Sequence, residues 1–406
     1  MRDIKIISFI KKELRRQQST INLIASENYA SLAVLSALGS VLSNKYSEGY
    51  PGKRYYPGNE FYDRIEELAK ERALKAFNLS SDEWSVNVQP YSGSPANLAI
   101  YSALMEPGDI LMGMKLASGG HLTHGHKVNI SGKIYKAVQY GVNEKNSLID
   151  YEEIEKLAKE CKPKVIVSGL SAYPRKIDFK KIGGIAKSAG AYHVADISHI
   201  AGLIVAGLHQ SPFEYSDVVM ATTHKTLRGP RGAVIFSRKE LAEKIDRAVF
   251  PGLQGGPHNN VTAAKALMFF EALQPQFKNY QKQIIKNAKV LAEKLKKTGF
   301  KLLTGGTDNH LMLIDMRSAE LDGLTAEKLL EKNNITANRN SLPDDTSPFK
   351  PSGVRIGTPA VTTRGMKEKE MKKIAELIYK ALVKKENVKK EVAKLCKKFP
   401  LPYGKN

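Results

Sequence analysis

The sequence predicts an α/β protein with a large domain on a parallel or mixed sheet and a small C-terminal α+β domain. Three observations predict this. Short apolar runs alternate with helical periodicity from 61 onward, the rhythm of βαβ units. Pro275 interrupts a helical run that starts near 261, which marks a boundary. Beyond it, two strand patterns mix with helices. At 406 residues the chain is long enough for about two domains with ample cores.

The elements follow in order. Residues 1–60 read as an N-terminal helix and an extended arm rich in Tyr, Gly and Ser. In the large domain, 61–275, strands are expected at 86–88, 110–112, 165–168, 192–195, 218–220 and 233–236. Helices are expected between them at 95–105, 151–160 and 179–188. A polar helix runs from Pro275 to about 297 and leads into the small domain, 276–406. There, strands at 311–314 and 353–356 accompany helices at 326–332 and 367–383.

Composition narrows the function classes. Apolar residues make up 42% and charged residues 26%, ordinary for a soluble globular enzyme. The longest apolar run, 200–208, is too short to cross a bilayer, and the N-terminus has no cleavage-type targeting pattern. Two cysteines, Cys161 and Cys396, have no metal-type spacing, so no metal site is expected and a reducing cytoplasm is. The net charge of +22 raises the question of nucleic acid. From Lys367 to Lys398, twelve lysines face five glutamates, so that segment alone supplies seven of the excess charges. Its apolar residues recur at helical spacing, which puts the lysines on a solvated face. No zinc-finger or RNA-binding aromatic motif occurs, and neither nucleic acid nor membrane is expected as a partner.

Three segments carry chemistry. Ala221-Thr-Thr-His-Lys-Thr-Leu-Arg-Gly-Pro-Arg-Gly232 puts Lys225 in the turn between two core strands. Most lysines of so basic a chain are solvated, but a lysine in this setting loses water, and its free amine becomes a better nucleophile. Arg228, Pro230 and Arg231 make the loop suited to an anion. Gly190-Ala-Tyr-His-Val-Ala-Asp196 is a strand ending in a carboxylate, followed by His199. Ligands gather at such strand ends, although an Asp there can equally cap a helix. Ser94, after Tyr91-Ser-Gly, is expected to N-cap a helix with Pro95 at its first position, an arrangement that suits a phosphate. An imine-forming lysine, an acid for a ring nitrogen and a phosphate cup point to pyridoxal 5′-phosphate.

Seven motifs in order resemble the serine hydroxymethyltransferase (glycine hydroxymethyltransferase) family. They are Leu23-Ile-Ala-Ser-Glu-Asn28, the Asn44–Tyr56 segment, Gly119-Gly-His-Leu-Thr-His-Gly125, Ser171-Ala-Tyr173, the lysine loop, Phe250-Pro-Gly-Leu-Gln-Gly-Gly-Pro257 and Gly353-Val-Arg-Ile-Gly-Thr-Pro359. Gly306-Thr-Asp-Asn-His310 is a further station. The resemblance implies the aspartate-aminotransferase-like fold (fold type I). It implies Lys225 as the cofactor lysine with His224 beside it, and Asp196 at the pyridine nitrogen. His199 and Ser171 belong near the ring's phenolic oxygen and His121 on its face. Ser92, Gly93 and Ser94 cradle the phosphate, Thr222 adds a polar contact, and Gly255 and Gly256 reach the phosphate from a partner subunit. A homodimer with shared active sites follows.

For serine or glycine the resemblance implies Arg355 as the carboxylate clamp, with Ser26, Tyr46 and Tyr56 around it and Glu48 as the proton-handling acid. For tetrahydrofolate or a related tetrahydropterin it implies Leu116, Gly120, His121, Leu122, Asn340, Ser347, Pro348 and Phe349. The implied reaction passes the hydroxymethyl group of serine to tetrahydrofolate, giving glycine and 5,10-methylenetetrahydrofolate. The chain departs from the family pattern at Ser118, where many relatives have histidine, and at Arg228, where a small residue is common. A threonine-type aldolase on the same fold is the alternative, and a basic RNA-binding protein is the rival from another class. The Glu48 segment and Ser347-Pro-Phe349 favour the transferase, because an aldolase needs no pterin site.

Overall fold

The computed structural model describes residues 3–347 and 349–403. Contacts divide the chain into two compact units, Met1–Tyr29 with Gln283–Asn406, and Ala30–Lys282. The boundaries read from the sequence, at 60 and 275, differ from this division.

In the first unit, α1 (Ile4–Ser19) is N-capped by Asp3, whose carboxylate accepts the N–H groups of Lys5 and Ile6. The segment after it belongs with the C-terminal residues for two reasons. Ile21–Asn22 pairs in parallel with Ile335–Thr336. The buried Arg364 guanidinium donates to the carbonyls of Gln17, Gln18 and Thr20 on one side and Cys396 and Phe399 on the other.

The Ala30–Lys282 unit begins with the short helix Leu32–Leu38 and a tight hairpin, Gly49–Tyr50 against Lys53–Arg54, where an extended arm was expected. After α2 (Glu60–Ala76) come seven strands: β1 (Trp84–Asn87), β2 (Ile110–Met114), β3 (Lys136–Tyr140), β4 (Val165–Gly169), β5 (Tyr192–Asp196), β6 (Val218–Thr222) and β7 (Ala233–Arg238). They form one sheet in the order β1-β7-β6-β5-β4-β2-β3. Only β7 runs antiparallel to its neighbours. The helices α3 (Gly93–Leu104), α4 (Tyr151–Cys161), α5 (Phe179–Ala189), α6 (Asn259–Ala272) and α7 (Pro275–Lys297) connect or follow the strands. Every residue of β4 and β6 is buried, as near-continuous apolar strands covered on both faces must be. Val167, Val194, Met220 and Ile235 join Ala96 and Ile100 of α3 in one core. The strand missed from sequence is β3, Lys-Ala-Val-Gln-Tyr, a half-exposed edge whose polar residues break the apolar run.

Residues 283–403 contain a four-stranded antiparallel sheet of β8 (Lys301–Leu302), β9 (Leu311–Asp315), β10 (Asn338–Asn340) and β11 (Gly353–Gly357), in the order β8-β9-β11-β10. Among the helices that accompany it are α8 (Gly323–Lys332), α9 (Glu368–Leu382) and α10 (Lys389–Lys398). Met371, Ile374, Ile378 and Leu382 bury the apolar stripe of α9, and no lysine between 367 and 398 is buried. Among the described residues, no helix is long and apolar enough to cross a membrane.

Candidate active site

Because β7 alone is reversed, the carboxyl ends of β1, β2, β4, β5 and β6 share one edge of the sheet with the amino end of β7. The chemistry-bearing residues of the Ala30–Lys282 unit lie along that edge, as expected for an open α/β sheet.

Beyond β1, Gln254 clamps the chain by accepting the Tyr91 N–H (2.9 Å) and donating to the Gln89 carbonyl (3.1 Å). The following helix starts earlier than its sequence predicts. Ser92, not Ser94, is the N-cap of α3, and Pro95 lies inside the first turn. The Ser92 side chain makes no capping hydrogen bond, and the first-turn N–H groups of Gly93 and Ser94 have no partner within the helix. Gly93 is required by packing: a Cβ there would come 2.7 Å from Cγ2 of Thr222, at the end of β6. The Thr222 hydroxyl is buried with no hydrogen-bond partner among the described residues.

Asp196 closes β5 and is buried. It accepts from Asn97 Nδ2 (3.1 Å), His124 Nε2 (3.2 Å) and the Ser198 N–H (3.1 Å). Burial pushes its carboxyl up, but the His124 hydrogen bond and the nearby charge of Lys225 outweigh it. The group is held well below the usual carboxylate range. The network assigns the His124 tautomer, because Nδ1 accepts the His121 N–H and leaves Nε2 to donate to Asp196. Asn97 also donates to the Thr123 hydroxyl (2.8 Å), which lies 2.8 Å from His121 Nδ1. The ring of His121 is thereby oriented from the same amide that holds Asp196. Asn97, Thr123 and His124 escaped the reading from sequence, although Thr123 and His124 lie in a recognised motif.

The Lys225 loop is pinned on both sides. Thr223 donates through Oγ1 to the Pro230 carbonyl and through N–H to that of Gly232. The Thr226 hydroxyl donates to the His199 carbonyl (2.9 Å) and accepts the Gly202 N–H (3.0 Å). Lys225 is 9% exposed. His224 is pushed down to about 3 by burial and by the charges of Lys225 and Arg231, so its imidazole is neutral at pH 7. Its Nδ1 is buried with no partner among the described residues. The Arg228 guanidinium pairs with Glu271 (3.4 Å) and lies over the Tyr280 ring. The buried His199 follows β5, and Ser171, beyond β4, donates its N–H to the Gly119 carbonyl (2.7 Å). Gly119 has φ +104°, and a Cβ on it would meet the Tyr173 nitrogen at 2.7 Å. Only glycine suits that position.

Other expected residues gather in separate places. Tyr46 and Tyr56 are ring neighbours at 5.5 Å. A Cβ on Gly255 would lie 3.4 Å from Glu48 Oε1, and one on Gly256 would lie 3.1 Å from the Tyr46 ring. The Tyr91 hydroxyl donates to the Gly256 carbonyl (2.7 Å), so this cluster adjoins the turn before Ser92. Leu116, Gly120, His121 and Leu122 follow β2, with Gly120 closely packed on the Met114 carbonyl.

In the other unit, Arg355 on β11 is 8% exposed, and it donates to Asn338 Oδ1 (3.1 Å) and Ser26 Oγ (3.4 Å). Burial pushes its pKa down to about 10 against the pull of Glu27, and it is charged at pH 7. Asn340 ends β10, Ser347 accepts the Phe349 N–H, and Phe349 is 90% exposed. Pro348 lies outside the described residues.

A buried ionised carboxylate, a buried lysine, a strand-end hydroxyl with no partner among the described residues and first-turn N–H groups outside the helix ladder suit a cationic ring that carries an anion. A family model described as serine hydroxymethyltransferase matches residues 1–378, a span that contains every one of these side chains. The chain belongs to the serine hydroxymethyltransferase family, the pyridoxal-phosphate enzymes that transfer the hydroxymethyl group of serine to tetrahydrofolate.

Proposed function

We propose that Lys225 would hold the cofactor at its aldehyde, Asp196 at its pyridine nitrogen, and Ser92, Gly93, Ser94 and Thr222 at its phosphate. One observation carries the reading: the buried Thr222 hydroxyl and His224 Nδ1 lack partners among the described residues, on the same edge of the sheet as the buried, ionised Asp196. Buried polar atoms are nearly always paired, so these two fit a site that a polar ligand completes. When bound, pyridoxal phosphate supplies an electron sink for the bond broken between Cα and Cβ of serine.

The remaining roles belong to the chain. Neutral His224 adds no positive charge beside Lys225, and its burial excludes water from that side. Asp196, kept ionised by the His124 hydrogen bond and the Lys225 charge, would keep the ring nitrogen protonated. His199 and Ser171 serve the ring's phenolic oxygen, and His121 its face. Arg355 offers the substrate carboxylate two parallel donors, with Ser26 beside it. Glu48, flanked by Tyr46 and Tyr56, carries the proton at the serine hydroxyl. Leu116, Gly120, Leu122, Asn340, Ser347, Pro348 and Phe349 contact the pterin.

The same reading includes a homodimer in the cytoplasm. Supporting a dimer, Val41, Tyr46, Tyr55 and Phe61 are all more than 60% exposed in the unit that carries Gly255 and Gly256. Supporting the compartment, Cys161 and Cys396 are free thiols. The test is a visible spectrum of the purified protein with pyridoxal phosphate, then glycine, then tetrahydrofolate. Wild type should show a band that responds to each addition, and Lys225→Ala should lack it. An unchanged band in Lys225→Ala would assign the cofactor to another lysine.

A further inference from the structure

We infer that Lys265 is a positioning residue: its ammonium ties the phosphate cup to the Lys225 loop and so sets the span between the two grips on the cofactor. Lys265 lies on α6 and is 1% exposed. Its Nζ donates to the main-chain carbonyls of Val88 (2.6 Å), Pro90 (3.0 Å) and Ala233 (2.8 Å). Val88 and Pro90 lead directly into Tyr91 and Ser92. Ala233 follows Gly232, whose carbonyl holds the Thr223 N–H two residues before Lys225. The β1–β7 ladder also joins these segments, with Asn87 opposite Ile235, and beyond it the Ala233 N–H reaches the Pro90 carbonyl across a longer 3.3 Å.

The choice of lysine is otherwise unexplained. Burial draws its pKa down, and Glu66, which pulls the other way, is itself taken by Arg54 (2.7 Å) and Gln89 (2.9 Å). A buried cation without its own carboxylate is costly, and an apolar residue of similar shape would pack α6 on the sheet without that cost. What lysine alone among long side chains provides is three N–H donors on one atom, here directed at carbonyls of two segments. The tip is also confined: a Cβ on Gly232 would come 2.6 Å from Lys265 Cε.

The consequence follows from the rigidity of the ligand, and it rests on the cup and lysine roles proposed above. A phosphate and an aldehyde at fixed separation bind together only if both grips are in register; each grip alone needs no register. Loss of Lys265 should therefore weaken the joined ligand far more than its halves.

The experiment titrates apo-protein at one pH with pyridoxal phosphate, pyridoxal and inorganic phosphate, with melting curves in parallel. Wild type should prefer pyridoxal phosphate to pyridoxal; without that preference the phosphate-cup reading fails, and this inference with it. Lys265→Met should raise the Kd for pyridoxal phosphate about tenfold or more, while pyridoxal and phosphate each change by less than about twofold. Gly232→Ala, which displaces the ammonium from the other side, should reproduce that pattern if Lys265→Met does not fold. The double variant should be no weaker than Lys265→Met alone. Unchanged affinity for pyridoxal phosphate, an equal loss for all three ligands, or multiplying effects in the double variant would each overturn the positioning role.

Discussion

Asp196 receives three hydrogen bonds, and the one from His124 depends on a tautomer set two bonds away. Asp196→Asn should therefore leave pyridoxal phosphate bound but lower kcat by roughly 10²–10³-fold, the usual cost of one preorganised electrostatic group. Turnover near the wild-type value would remove Asp196 from the ring nitrogen. Lys225 and Asp196 were legible in sequence because each is a reactive residue type at the end of an apolar strand. Asn97 was not. Its function is a distance to a residue 99 positions away, and nothing in a helical Pro-Ala-Asn-Leu segment encodes that distance. Arg228 shows the reverse: its charge suggested anion binding, and the fold sets it beside a carboxylate and a ring.

Short apolar strands bounded by Gly, Ser and Asp were found where periodicity put them, because burial on both faces leaves little choice of composition. Their ends were less legible. Ser92 and Ser94 are equally good caps by residue type, and packing against Thr222 accompanies a helix start two residues earlier. The element that holds Lys225 is the turn closed by Thr226, whose hydroxyl serves both the His199 carbonyl and the Gly202 N–H. Thr226→Ala removes both hydrogen bonds from the buried turn, and should cost about 1–3 kcal/mol in unfolding free energy. Denaturant unfolding with an unchanged midpoint would show that the turn holds without that hydroxyl.

The whole molecule should lose stability in mild acid. His193 is fully buried and neutral: it lies 2.7 Å from the Tyr215 carbonyl through Nδ1 and 2.8 Å from the Ser168 hydroxyl through Nε2. Burial pushes it down from 6.5 to about 4, and His224 is pushed down similarly to about 3. Between those values and 6.5 the unfolded chain takes up protons that the folded chain refuses. Their stabilising effect is complete above 6.5 and is lost as pH falls toward about 4 for His193 and about 3 for His224. Each contributes a slope of up to about 1.4 kcal/mol per pH unit. Melting curves from pH 7 to 4.5 should show a shallower pH dependence for His193→Asn than for wild type. Parallel curves would mean that His193 is protonated in the fold.

The sequence by itself determined the fold class and the family, because apolar periodicity, turn chemistry and motif order are local properties of the chain. The tertiary structure decided the company the residues keep. It placed Asn97 and His124 on Asp196, Lys265 beneath two loops, Glu48 against Gly255, and the first 29 residues with the C-terminal unit. The physical reason is that hydrogen bonds and desolvation act at a few ångströms in space, whatever the separation along the chain.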